Sequence, residues 1–461
     1  MFFNFLLSLW MDTLAYVLHL TPAADELSLK AASTIAFIRA CSRGLRPGRL
    51  SIAQRDSLNT RKADEDYLTV RCKLPVSSKN NLAYVISQAF KSLGDGSETY
   101  GHQGCEDIYG DWVGPCKRSA VPVSLNSASE REQYSTLMSA VTRNTTILYF
   151  QGGQFWRRGR GGIKIQNKLA HKVGGRTFGL LYRLSPQNPF PAALMDCLAA
   201  YLCLLYPTSE HLHDPIDARD IYLAGDSAGG NLAVALLKLI LEIRKLCRSG
   251  EATLWWNGEE KIVPLPAGAA VLSPYLDMTR SFPSEVANLR FDIIPARGPP
   301  FANQDRCDTW PAKRPRHHVY ANDDALLHPL VSPVTVRDWT GCPPVWICVG
   351  EECLADAGLF MAQKMASANV EVFVEQFSAM PHNFALLCES DSTAQAIQSW
   401  AEFVCGVRDG SLEKPVVVKW SHQRSQLGRQ PLSLERWRGM SRETVLKQMK
   451  EEMVKWGPPP A

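Results

Sequence analysis

The chain has 461 residues, 45% of them hydrophobic, which is enough apolar material for one large α/β domain or two smaller ones. Its formal net charge of +4 is small for that length, and no basic stripe interleaved with aromatic residues marks a nucleic-acid surface. The thirteen cysteines include no Cys-x-x-Cys pair, and Cys197, Cys203 and Cys348 lie in apolar runs, which argues against a disulfide framework and for free thiols in a reducing compartment.

Met1 to Leu20 is strongly apolar, but Asn4, Ser8 and Asp12 recur every four residues and would form a narrow polar stripe on a helix. A spanning helix wants no charge near its middle, where Asp12 falls, and a signal peptide opens on basic residues, which are absent. The segment is expected as a helix lying on a membrane surface or as a cap helix packed on the protein, with a membrane anchor as the second reading and a signal peptide as the third. From there to residue 130 the periodicity is weak. Residues 41–66 are basic and polar and 94–114 are rich in glycine and acidic residues, so both are expected as loops or cap elements.

The first strong strand signal is the β-branched and aromatic run Thr145 to Phe150, which ends in Gln151-Gly152-Gly153-Gln154. Glycine at such a turn lets backbone N–H groups approach a developing oxyanion, where each donor is worth about 3 to 4 kcal/mol. An ordinary strand closing on a Gly-Gly turn is the plain alternative. Asn144-Thr145-Thr146 matches a glycosylation sequon, but it precedes this core strand and is read as chance.

Next comes Gly225-Asp226-Ser227-Ala228-Gly229-Gly230, after the strand-like Ile221-Tyr222-Leu223-Ala224 and before the helix-forming run Asn231 to Ile240. A Gly-x-Ser-x-Gly between strand and helix is a nucleophile elbow, in which the serine takes strained backbone angles and its flanks leave no room for β-carbons. A further strand is expected near 269–272, followed by a stretch from 277 to 316 that carries six prolines and reads as a cap insertion over the active site. Pro343 to Gly350 is another buried-strand run, opening onto Glu351-Glu352-Cys353-Leu354-Ala355-Asp356. A helix follows from about Gly358, then the strand Val370 to Phe377, and a loop carrying Met380-Pro381-His382-Asn383. Beyond Gly410 a basic, polar segment leads to a short amphipathic helix with Leu446, Met449 and Met453 on one side, expected to pack on the body.

Taken together, Tyr149-Phe150-Gln151-Gly152-Gly153, the run Tyr182 to Ala193, the elbow and Met380-Pro381-His382 resemble the hormone-sensitive-lipase-type α/β hydrolases. Trp310-Pro311, the run His328 to Pro333 and Gly341-Cys342-Pro343-Pro344 resemble a fungal branch of that family, and the likeness covers roughly residues 130 to 405. The resemblance implies an α/β-hydrolase fold with a mostly parallel central sheet flanked by helices. It implies Ser227 as nucleophile, His382 as general base, and backbone N–H groups of Gly152, Gly153 and Ala228 as the oxyanion hole. For the acid it implies Glu352, four residues before Asp356, with Asp356 the alternative. Gln151 departs from the family, which has a histidine there that shapes the loop.

The expected organisation is an N-terminal helix and cap region over 1–130, a catalytic domain over 131–408, and a basic C-terminal tail over 409–461. The expected activity is hydrolysis of small apolar carboxylic esters through an acyl-enzyme, with no metal or organic cofactor. An amidase or formamidase, or a weak or inactive hydrolase-fold binding protein, are the alternatives. The expected location is intracellular, in the cytoplasm or on the cytoplasmic surface of an organelle membrane.

Overall fold

The computed structural model describes residues 10–460 apart from 12, 22, 45–48, 59–66, 78, 102, 118–127, 160, 299, 302–304, 413 and 424–425. Ten strands among them form one sheet. In chain order they are β1 (Tyr67–Leu74), β2 (Ile108–Lys117), β3 (Thr146–Phe150), β4 (Arg176–Leu180), β5 (Ile221–Asp226), β6 (Gly268–Leu272), β7 (Val345–Gly350), β8 (Val372–Phe377), β9 (Val417–Gln423) and β10 (Gln426–Pro431). Their order across the sheet is β1-β2-β4-β3-β5-β6-β7-β8-β9-β10. From β4 to β9 every neighbour is parallel, while β1–β2, β2–β4 and β9–β10 pair antiparallel.

The central strands read as continuous apolar runs because helices cover both faces of the sheet. β3, β5 and β7 are buried at every position. Successive side chains still point to opposite faces: Leu148, Phe150 and Leu223 enter one core, while Ile147, Tyr149, Tyr222 and Ala224 enter the other. The first core is completed by α3 (Leu82–Leu93), α5 (Ala192–Leu205), α6 (Ala228–Ser249) and α7 (Ala355–Ser367). The second takes α4 (Gly162–Val173), α8 (Asp391–Asp409) and part of α1 (Leu29–Gly44). Each fully buried large apolar side chain contributes on the order of 1.5 to 3 kcal/mol, so two cores of this size hold the sheet as a rigid platform.

Both flanking regions join that platform. The stretch before residue 130, expected as loops and cap elements, contains β1 and β2, whose alternate residues Leu68, Val70, Cys72 and Leu74 are buried. The segment after 408 contributes β9 and β10 and then α9 (Arg442–Val454), which packs through Val445, Met449 and Met453. Trp420 of β9 stacks on Phe377, and its indole N–H donates to Glu375 Oε2 at 3.2 Å, bracing the strand that leads to His382.

A smaller cluster of Leu50, Trp156, Trp310 and Val319 joins α2 (Leu50–Leu58) to the end of the proline-rich stretch, over the loop after β3. The first half of that stretch lies elsewhere. The Ser284 hydroxyl donates to the Cys353 carbonyl at 2.5 Å, and the Asn288 amide donates to the Glu352 carbonyl at 3.0 Å. Residues 284–294 therefore buttress the acid-bearing loop from beside it, where a cap over the active site was expected. Residues 1–9 and Asp12 of the expected polar stripe lie outside the described residues. Among the described residues no helix is long and apolar enough to cross a membrane.

Candidate active site

Loops after β3, β5, β6, β7 and β8 leave the sheet at the same edge, because parallel strands all present their carboxyl ends there. The loop after β5 is the shortest. Ser227 sits between the last strand residue and the first helical one with φ 53° and ψ −119°, a conformation costly for any residue with a side chain. Hydrogen bonds hold it there: its N–H donates to the Leu272 carbonyl at 3.0 Å, and its carbonyl accepts from Asn231 and Tyr275 N–H at 3.0 and 2.9 Å. Tight packing explains the glycines. A Cβ on Gly229 would overlap the Phe150 carbonyl oxygen, and one on Gly225 would overlap the Gly229 carbonyl oxygen.

His382, on the loop after β8, points its Nε2 at Ser227 Oγ, 2.9 Å away. With the hydroxyl donating, the ring proton sits on Nδ1, which faces Glu352 Oε1 at 3.5 Å. Glu352 is fully buried after β7, and its other oxygen accepts from the Ser273 hydroxyl at 2.6 Å. Burial pushes the Glu352 carboxyl above its ordinary value, while His382 and the Ser273 hydroxyl pull it back. For His382, burial favours the neutral ring, but the carboxylates of Glu352, Asp292 and Asp226 outweigh it and raise the imidazole above its usual range.

The structure brings Ser227, His382 and Glu352 into one line and sends Asp356 elsewhere. α7 begins at Ala355, so Asp356 already points sideways from the first helical turn. One of its oxygens accepts from Ser284 N–H at 2.9 Å and the other pairs with the Arg436 guanidinium. The alternative acid is therefore a structural anchor for the buttress and the C-terminal segment.

A correction also applies at the oxyanion loop. Gly152, expected among the donors, already gives its N–H to Asp226 Oδ1 at 3.0 Å, and a Cβ there would overlap that same carboxylate. In the resting site this N–H is therefore already paired and points at Asp226. The N–H groups of Gly153 and Ala228 have no partner among the described residues. Gly153 stands at φ 125°, where a Cβ would overlap the Arg157 carbonyl. Ala228 opens α6, whose N-terminal dipole favours negative charge at that point.

Gln151, in place of the family's histidine, donates its side-chain amide to the Gly159 carbonyl, and Gly159 N–H donates to the Gly152 carbonyl at 3.0 Å. The Tyr182 hydroxyl donates to the Gln151 carbonyl at 2.6 Å. The glutamine thus closes the 152–159 loop on itself. From the N-terminal side, the buried Gln54 of α2 donates to the carbonyls of Trp156 and Ser185 at 2.7 and 2.9 Å. Trp156 and Arg157 in turn donate to the Gly153 carbonyl at 3.2 and 3.1 Å.

Four residues at the site were absent from the sequence reading as contributors. Asp226 accepts from the Tyr149 hydroxyl at 2.7 Å, from Gly152 N–H and from the Asn383 amide at 2.9 Å, so one carboxylate joins three loops. Burial raises its carboxyl, and those donors lower it again. Asp226 stood inside the elbow motif, and Asn383 beside His382, so proximity to a motif was their signal. Ser273 follows a predicted strand. Asp292, fully buried, accepts from His382 N–H at 3.0 Å and Cys353 N–H at 2.6 Å, and no local pattern marked it.

The geometry can therefore move a proton from a strained serine hydroxyl to an imidazole backed by a buried carboxylate, beside two backbone donors. Comparison with known proteins agrees with that chemistry. The family model described as alpha/beta hydrolase fold matches residues 147–386, just over half of the chain. An acetyl-hydrolase of Streptomyces hygroscopicus is 30% identical over 239 residues, 51% of this chain and 67% of that protein. An esterase of Acinetobacter venetianus is 27% identical over 263 residues, 56% of this chain and 73% of that protein. A hormone-sensitive lipase structure from a metagenome library shares the fold, with a TM-score of 0.51 and 21% identity, covering 83% of this chain and 99% of that one. By sequence and by architecture, this chain belongs to the alpha/beta hydrolase fold family.

Proposed function

We infer that the protein is a serine hydrolase of carboxylic esters, with Ser227 as nucleophile, His382 as general base and Glu352 as the acid behind it. The observation that carries this reading is the 2.9 Å approach of His382 Nε2 to Ser227 Oγ at a strained elbow. His382 takes the hydroxyl proton as Oγ attacks the ester carbonyl, and Glu352 stabilises the imidazolium that forms. The oxyanion accepts from Gly153 and Ala228 N–H, His382 returns the proton to the leaving alcohol, and water then releases the acyl group by the same steps in reverse. The named relatives, an acetyl-hydrolase and an esterase, support ester over amide cleavage.

The substrate proposed is a short acyl ester, acetyl first, of an apolar alcohol. The acetyl-hydrolase relative supports the acyl group, and Trp310-Pro311 with the run His328 to Pro333 supports placement near the fungal branch. Turnover of p-nitrophenyl acetate and butyrate by the purified chain, lost in Ser227→Ala, tests the assignment; retained turnover in that variant refutes it.

Contact with a membrane surface through residues 1–20 is also proposed, on the cytoplasmic side. Trp10 and Leu20 are 62% and 74% exposed, with Met11, Val17 and Leu18 exposed beside them, and the thirteen cysteines are free thiols. Fractionation of cells expressing the chain with and without residues 1–20 checks it; an identical distribution removes the proposal.

A further inference from the structure

We propose that Asp292 is a positioning residue for the reaction of Ser227 and His382, its carboxylate tying the base-bearing loop to the acid-bearing loop. The inference rests on the assignment of Ser227, His382 and Glu352 made above. Asp292 comes from the proline-rich stretch, 90 residues before His382, and lies fully buried between the loops after β7 and β8. Its Oδ1 accepts the backbone N–H of His382 at 3.0 Å, and its Oδ2 accepts that of Cys353 at 2.6 Å, the residue directly after Glu352. Two oxygens of one rigid group thus set the spacing between the backbones that carry the base and the acid. Oδ1 also accepts the N–H groups of Ile293 and Ile294 at 2.7 and 3.2 Å, which holds the carboxylate in one rotamer.

A plain structural tie would be satisfied by any acceptor; a charge so close to the ring does more. The groups facing His382 are the carboxylates of Glu352, Asp292 and Asp226 and the Ser227 hydroxyl. Around Asp292 itself stand the Cys353 thiol, the Glu285 carboxylate and Arg39, whose guanidinium donates to the Asp292 backbone carbonyl at 3.0 Å. The charge of Asp292 is therefore part of what favours the imidazolium that forms when Ser227 gives up its proton. An asparagine at 292 removes that charge. It also turns an amide NH₂ toward one of the two backbone donors, releasing one of the loops.

The test uses the full chain with Asp292→Asn and Asp292→Glu, assayed on p-nitrophenyl butyrate across pH, with thermal unfolding followed in parallel. Asp292→Asn is expected to lower kcat about 10- to 100-fold, the effect typical of groups that orient reacting residues, with KM little changed. Its acidic limb of kcat/KM should move to lower pH, because a negative charge near the imidazole is gone. Asp292→Glu keeps the charge but displaces the oxygens, so kcat should fall while the limb stays. The idea is overturned if Asp292→Asn keeps wild-type kcat and limb, or loses activity only in proportion to its unfolded fraction with the limb unmoved. Should Asp292→Asn fail to fold, a folded Asp292→Glu with wild-type kcat overturns it equally. Turnover surviving in Ser227→Ala would instead bring down the underlying assignment, a distinct result.

Discussion

Replacing Glu352 with glutamine and, separately, Asp356 with asparagine separates two acids only four residues apart. His382 Nδ1 and Glu352 Oε1 stand 3.5 Å apart in a fully buried site. At an effective dielectric constant of about 20, a unit charge pair at that separation is worth about 5 kcal/mol. That energy is available only when the imidazolium exists, in and near the transition state. At 1.36 kcal/mol per decade it corresponds to about three and a half orders of magnitude in rate. A glutamine amide also offers an N–H toward Nδ1, favouring the tautomer whose Nε2 carries the proton and faces Ser227. Glu352→Gln should therefore lower kcat by about 10³- to 10⁴-fold with KM nearly unchanged. Asp356 makes no contact with the imidazole; its partners are Ser284 N–H and an Arg436 side chain that is 58% exposed. An asparagine keeps the first contact, so Asp356→Asn should leave kcat within a few-fold and lower stability by roughly 1 kcal/mol. Steady-state kinetics on p-nitrophenyl butyrate and a thermal melt read both effects. A larger kcat loss in Asp356→Asn than in Glu352→Gln would refute the placement of the acid.

Other consequences are as direct. Gly229→Ala forces a Cβ into the Phe150 carbonyl oxygen, backbone against backbone, and should cost about 4 kcal/mol or more, visible as a collapse of soluble yield or melting temperature. Gln54→Leu leaves the buried Trp156 and Ser185 carbonyls without their side-chain donor; kcat should drop about tenfold as Gly153 shifts, and unchanged kinetics would show that α2 does not hold the oxyanion loop. For pH, His382 must be neutral to accept the serine proton. Since neighbouring carboxylates raise it above the ordinary imidazole value of 6.5, kcat/KM should already be falling as pH drops through a point above 6.5. An acidic limb centred below 6.5 would contradict that reading.

Much of the site was legible because its signals are local. An elbow needs small residues within two positions of its serine, so Gly225 and Gly229 announce Ser227. The glycine pair after β3 and His382 after β8 follow strands whose apolar runs are unmistakable, since both faces are covered. Gln151 showed a departure in sequence, but only the loop geometry reveals that its amide closes onto Gly159. The alternating burial of β1 emerged only in the structure, since an antiparallel edge strand carries a weaker signal than a central parallel one.

The amino-acid sequence alone determined the family, the fold, the serine and the histidine, because each rests on residues adjacent in the chain. Only tertiary structure decided which carboxylate stands behind His382: Glu352 and Asp356 follow the same strand, and the start of α7 turns one inward and the other away. It also decided that Gly152 serves Asp226 while, among the described residues, the N–H groups of Gly153 and Ala228 stay unpaired, and it brought Asp292 to the His382 backbone from 90 residues away. The physical reason is common to all three. A buried carboxylate seeks whatever donors the packed loops present, and those donors converge only when the parallel strands gather their ends at one edge of the sheet.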